Sequence, residues 1–420
     1  MKIKDNKFTW AMILFTFVLF WNNFAGTTSN INTTMLAFHY GYGFISRGLL
    51  GTIYGVLNRI LPWDLYTFGW AMLFFEGCFL VFVVLLFLFC MKCLRMSDEK
   101  VKQSARYFII LYFIAAIPMF SSEYNLGRLD MYCLMCSMLS VLLMVYGKAE
   151  WLAVPLSAIG VMFHQGHVFM YMGMVLAMQL YKALDAVKGQ EDLRVIFSNK
   201  TSRKYLGMFL ATMLTVSALF IWFEGFSHID GEKFADQLID TACSMGPDAD
   251  YHIEVVDHEI LGVDLSAKEW EYHKQNFVEF PLYCLFMLPY ILIALGFARE
   301  LLGLAKTKID KVKYIIVLAG VLTILPDMIL KVDYGRWIFS IISYYAVVLL
   351  ALLAMRDTAV TEVSRQTVDR LRSKYPYAVL LLIYPLLFQP LMHISLCPLT
   401  ERIVNILNMH LHIWIPWQQK

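Results

Sequence analysis

Charge is the scarcest thing in this sequence. Only 16% of the 420 residues are Asp, Glu, Lys or Arg, whereas 59% are hydrophobic. A soluble domain carries about a quarter charged residues, so an ordinary globular protein is excluded. Acid is missing altogether from 25–63, where Asp64 is the first carboxylate after the opening apolar run. No internal repeat is visible. No Gly-rich phosphate loop or nucleotide-binding pattern occurs in the basic loops, and no nucleic-acid partner is expected. Cysteine is of little use for cross-linking. Cys78, Cys90, Cys93, Cys133, Cys136 and Cys284 lie in or beside apolar runs, where they pack as small apolar groups. Cys243 and Cys397 are left as one conceivable disulfide.

The apolar residues come in blocks. "YTFGWAMLFFEGCFLVFVVLLFLFCM" (66–91) exceeds the roughly 20 residues that a helix needs to cross a hydrocarbon layer. Backbone in lipid must satisfy its own hydrogen bonds, so such spans are helices. The sequence predicts an all-α polytopic membrane protein forming a single transmembrane domain over 1–420. Eleven spans are expected, at 8–24, 66–91, 107–121, 129–147, 151–163, 168–182, 205–223, 280–298, 314–330, 337–355 and 377–393. The first follows "MKIKDNK" without a cleavage motif and reads as a retained signal anchor.

The short pair 151–163 and 168–182 reads either as two arms broken at "HQGH" or as one long tilted helix. Cytoplasmic loops carry excess Lys and Arg. Two arms place 25 of the 35 basic residues inside, whereas fusion places 16 inside and 19 outside. The two-arm reading is preferred. It puts the N-terminus in the cytoplasm and leaves outside an interfacial loop at 25–65, an acidic loop at 225–279 and an interfacial tail at 394–420. The expected location is multi-pass in a cytoplasmic membrane.

That topology gathers the chemistry on the outer face, while the inside loops read as short, basic and plain. Arg47, in "GFISRGLLG", either snorkels to lipid head groups from a surface helix or binds a phosphate with its planar fork. Glu123, Arg128 and Asp130 in "EYNLGRLDMY" form either a solvated turn or part of a site. His164 and His167 share a helix face. With no third ligand nearby they make a poor metal pair, so no metal or cofactor is expected. They serve either as a structural pair at the break or as a general base or hydrogen-bond donor. Asp327 lies inside a span, where an ionisable group needs a cavity or a partner. In "LKVDYGRWIFS", Asp333 and Arg336 sit one turn apart beside Tyr334 and the aromatic Trp337. His228, His252, His258 and His273 among the carboxylates of 225–279 read as a solvated face more readily than as an ion site.

Arginines gathered beside lipid imply an anionic ligand, and a phosphate or pyrophosphate head group is the nearest one. This layout, with "GFISRGLLG", the "HQGH" break and "DYGRWI", resembles bacterial surface-polysaccharide membrane proteins. The O-antigen and capsule polymerases and related lipid-linked-sugar transferases of the C-type glycosyltransferase superfamily are the nearest of them. The resemblance implies metal-independent transfer or polymerisation of polyprenyl-pyrophosphate-linked sugars. Arg47, Arg128 and Arg336 would contact the pyrophosphate, and Glu123, His164, His167 or Asp333 would take the acceptor's proton. Asp130, Asp327 and Tyr334 would support them. Membrane lipids and other polysaccharide-assembly proteins are the implied partners. The acid-free first outer loop departs from the C-type lipid-phosphate-sugar transferases and favours the polymerase or ligase branch. Two other classes stand beside this one. One is a secondary transporter or flippase for an anionic solute, which the scarcity of ionisable groups in the spans (Glu76 and Asp327) disfavours. The other is a non-enzymatic assembly partner.

Overall fold

The computed structural model of the chain describes residues 2–23, 26–122, 125–227, 229–246, 256, 279–330, 333–390 and 394–396. These form α1 (Lys2–Asn23), α2 (Asn30–Ala37), α3 (Gly48–Ile60), α4 (Phe68–Met96), α5 (Lys102–Ser121) and α6 (Leu129–Tyr146). Then come α7 (Ala153–Phe163), α8 (His167–Met170), α9 (Met172–Asp185), α10 (Val195–Ser198), α11 (Lys200–Gly225) and α12 (Gly231–Met245). The chain continues with α13 (Glu279–Leu304), α14 (Lys308–Ala319), α15 (Leu325–Leu330), α16 (Tyr334–Ala354), α17 (Thr358–Ser373) and α18 (Tyr375–Leu387). The one departure from helix among the described residues is a hairpin, β1 (Phe388–Pro390) paired antiparallel with β2 (Ile394–Leu396).

Seven helical segments are long and apolar enough to cross a bilayer: α4, α5, α6, α11, Met287–Leu304 within α13, Lys308–Ile329 and α16. They coincide with seven of the eleven expected spans. The other four are shorter. The apolar part of α1 covers Lys7–Trp21, α7 has 11 residues and α9 has 14. The last, expected at 377–393, is helical only to Leu387 before it turns into β1. Burial separates centre from rim. In α5, α6 and α16, 72% of the apolar window is covered by other parts of the protein, against 6% in Met287–Leu304. Leu80, Leu88, Leu214, Leu288 and Leu295 are exposed on the rim helices, as suits side chains solvated by acyl chains.

One ion pair decides the short pair of helices. Lys182 Nζ, near the end of α9, lies 2.6 Å from Glu150 Oε1, just before α7. A single helix over 150–182 would hold those residues about 48 Å apart at 1.5 Å rise per residue. The chain therefore turns back at 164–166, and α7 and α9 form a hairpin. Two full crossings or one re-entrant hairpin leave the sidedness of every later segment the same.

Long-range contacts sort the connecting segments into two groups. At one end Glu150 meets Lys182, Lys204 and Tyr205. There too Arg356 Nε donates to the Met96 carbonyl at 3.0 Å, Arg372 to Gln103 at 2.8 Å, and Arg370 pairs with Glu300. At the other end Trp222 Nε1 donates to the Phe44 carbonyl at 3.1 Å, Ser46 bonds Gln165, and Asp130 bonds Arg336.

The first end is not plain. Buried Asp357 accepts from Tyr181 at 2.6 Å and Tyr314 at 3.0 Å, lies 3.5 Å from buried Lys313, and caps α17 through the Val360 N–H at 2.9 Å. Neither this network nor the one at Glu150 is foreseen by the reading of those loops as featureless. The sign of a basic residue carries no trace of such pairing, and Lys182 and Lys313 there are each paired with carboxylates. In the connector helix α17, likewise, Arg365 is bonded to Glu362 and Arg370 to Glu300.

Near its middle the Lys308–Ile329 span changes from α14 to a 3₁₀ turn, Gly320–Ile324. That switch frees carbonyls, and two tyrosines of α16 cap them: Tyr344 donates to Val317 O at 2.7 Å and Tyr345 to Leu318 O at 3.0 Å. Thr323 Oγ1 donates to the Phe169 carbonyl at 3.0 Å, which ties the 3₁₀ turn to the hairpin tip.

Candidate functional site

Three segments distant in sequence each place an arginine at the start of a helix. Arg47 caps α3 with φ 62°, ψ 2°, the left-handed conformation that costs a residue with a Cβ roughly 1–2 kcal/mol. Arg128 caps α6. Arg336 lies in the first turn of α16, whose N-cap is Asp333. Helix N-termini carry partial positive charge, and cations there are disfavoured by about 0.3–1 kcal/mol each. The arrangement therefore works against local stability unless negative charge is supplied.

For Arg336 the protein supplies it. Nε and Nη2 donate to the two Asp130 oxygens at 2.7 and 2.9 Å, and Nη1 to Asp333. Asp130 is 1% exposed and Arg336 8%. Their fork-on-fork geometry is the strongest form of this pair, and it locks the start of α6 to the start of α16. The guanidinium also lies 5.2 Å from the centre of the Trp337 ring. Tyr334 is buried beside it, and Asp327 is half-buried on α15, which packs against α8.

Arg128 is half-buried and donates to Asn125 Oδ1 at 3.0 Å. The "NLGR" turn before it depends on Gly127, at φ +88°, where an added Cβ would come within 2.6 Å of the Phe75 ring. Thr28 and Asn32 donate to the Leu126 carbonyl at 2.6 and 2.9 Å, so α2, within the stretch expected to lie on the interface, packs inward against this turn. Arg47 is half-buried. Its neighbour Ser46 bonds Gln165 of the hairpin tip and donates its N–H to Ser227 at 3.3 Å.

His164 is where these groups meet. It is half-buried, and its Nδ1 accepts from the Gly166 N–H at 2.7 Å. Burial, then the charges of Arg47, Arg336 and Arg128, hold its pKa well below the usual value, against the opposing pull of Asp130. All three arginines are thus near enough to act on one imidazole. The ring is neutral at ordinary pH, and with Nδ1 engaged its proton sits on Nε2. It is set up as a hydrogen-bond donor rather than as a base. His167 is separate: its ring lies against Gly160, fully buried, with neither nitrogen bonded among the described residues.

Of the residues singled out from the sequence, Arg47, Arg128, Asp130, His164, Asp333 and Arg336 come together here. Glu123 lies outside the described residues, as do His228, His252, His258, His273, Cys397 and nearly all of 247–278. No metal-binding group is found among the described residues. Ser46 and Gln165, which tie the first loop to the hairpin tip, carried no sequence signal beyond their place beside Arg47 and His164.

Gly166 gives a direct test of the His164 geometry. A Cβ there would come within 2.9 Å of the His164 ring. Gly166→Ala is expected to displace the imidazole and shift the His164 ring resonances, with the unfolding temperature nearly unchanged. NMR of ring-labelled histidine and thermal unfolding measured on one preparation check this. No family model matches the chain, no curated protein matches it, and no solved structure does.

Proposed function

We propose that this protein transfers or polymerises sugars carried on polyprenyl pyrophosphate, working at the outer face of a bacterial cytoplasmic membrane. The reading is supported by one observation: arginines at the positive ends of three helices all bear on His164, beside the Asp130–Arg336–Asp333 cluster. Three helix N-termini and their arginines converging in one place suit a multiply charged anion held beside lipid. Outside the cell no nucleotide sugar is at hand, so the donor must bring its own leaving group.

In the step proposed, the bond from the anomeric carbon to the pyrophosphate oxygen breaks and a bond to the acceptor oxygen forms. The departing pyrophosphate collects the negative charge, with Arg47 and Arg128 against it. His164 Nε2–H donates to a substrate oxygen. The acceptor's proton goes to Asp333, which is half-buried and oriented by Arg336. Arg336, already bonded to two carboxylates, positions rather than binds.

Replacing Arg47 or Arg128 by Lys in cells tests this. Lysine keeps the charge and loses the fork. Short lipid-linked units should accumulate while long surface polymer falls. Unchanged polymer with altered uptake or efflux of an anionic solute would instead favour a transporter, the reading supported by the broken span at Gly320–Ile324 beside the hairpin tip.

A further inference from the structure

A groove opens at the Asp357 end of the bundle, away from the arginine cluster, where α17 packs on α13. Leu292, Gly296 and Phe297 form one wall, and Thr367, Arg370 and Leu371 the other, around about 170 Å³ of space. The space lies beside Gly296, where an added Cβ would touch nothing within 4 Å. Its walls are apolar apart from Thr367 and Arg370.

Two features say what fills it. The α13 wall belongs to the least covered of the seven spanning segments, with 6% of its apolar window buried, so the groove opens toward the bilayer. There the only abundant apolar molecules are acyl chains. The α17 wall is an amphipathic helix whose Val360, Val363 and Val368 face inward while Arg365, Arg370 and Arg372 stay outside. Such a helix lies at head-group depth. Glu300 and the Gln366 carbonyl hold the Arg370 guanidinium at the lip. A chain in the groove would therefore leave its head group beside an arginine, with Arg372 and Lys374 following on the same segment.

We propose that this groove binds one acyl chain of an anionic phospholipid from the adjacent leaflet, its phosphate lying against Arg370. The site is independent of the sugar-transfer reading.

Thermal unfolding of the full chain in detergent, with dioleoyl phosphatidylglycerol or dioleoyl phosphatidylcholine added, tests it. The anionic lipid should raise the midpoint by roughly 3–5 °C, more than the zwitterionic one does. Gly296→Leu fills the groove and should lose the rise from both lipids. Arg370→Gln should keep a rise from both and lose the advantage of the anionic lipid. Should Gly296→Leu fail to fold, Gly296→Cys capped after purification with a butyl thiosulfonate blocks the same space and carries the same expectation. A blocked groove that still responds like the parent protein overturns the proposal, as does an Arg370→Gln variant that keeps the full anionic preference. A midpoint that rises with protein concentration instead of lipid also overturns it, since the groove would then be a contact between two copies.

Discussion

Replacing Asp130 by Asn will destabilise the protein by about 3–5 kcal/mol, the usual cost of breaking a buried ion pair from one side. Asp130 receives two guanidinium bonds from a residue 206 positions away, and both partners are buried. An amide can accept one of those bonds but turns N–H donors toward the guanidinium with the other. Arg336 then keeps only Asp333, which is more exposed and local in sequence. Asp333→Asn should cost less. Arg336→Met should cost about as much as Asp130→Asn, because it strands the carboxylate. The double variant Asp130→Leu with Arg336→Met should recover much of the loss, since no unpaired charge stays buried. Thermal unfolding of the four variants reads the coupling directly. Equal and additive losses from Asp130→Asn and Asp333→Asn would mean that the 206-residue link does not hold α6 to α16.

Arg47→Gln and Arg128→Gln will do the opposite: little to stability and much to function. Each removes a cation from a helix N-terminus, where it is locally unfavourable, which offsets what its own bonds contribute, such as Arg128 to Asn125, so the unfolding temperature should change little. Each also removes a fork that the proposed transfer uses against the leaving pyrophosphate, and losing one preorganised donor costs about 10²–10³ in rate. The contrast with Arg336 matters. From sequence the three arginines look alike, one per outer segment. In the structure Arg336 is bonded by two carboxylates, and the proposed binding role is assigned to Arg47 and Arg128.

That division marks the limit of what the sequence discloses. The long apolar runs are legible because periodicity and length are local properties, and seven of the eleven expected spans reappear as helices long and apolar enough to cross a bilayer. The break at "HQGH" is legible through charge counting, and the Glu150–Lys182 contact agrees with it. What stays hidden depends on pairs far apart in the chain. Asp130 reads as one charge of a solvated turn or of a site with Glu123 and Arg128, yet its bonds go to Arg336. Asp357 reads as one more charge in a basic loop, yet it joins α9, α14 and the start of α17. His164 and His167 read as a matched pair three apart, but the turn at Gly166 sends one ring to the arginines and the other against Gly160. Spacing carries no trace of that separation, because it arises from a break in the helix that spacing assumes.

The proposed sugar transfer requires Arg47 and Arg128 to hold a pyrophosphate-bearing lipid together. Its most direct test is equilibrium binding of a labelled polyprenyl pyrophosphate to the purified protein in nanodiscs, with Lys233→Gln as a control for lost charge elsewhere. The account predicts saturable binding that weakens at least tenfold in Arg47→Gln and in Arg128→Gln alike and stays unchanged in Lys233→Gln. Binding that is equally tight in all four proteins would contradict it.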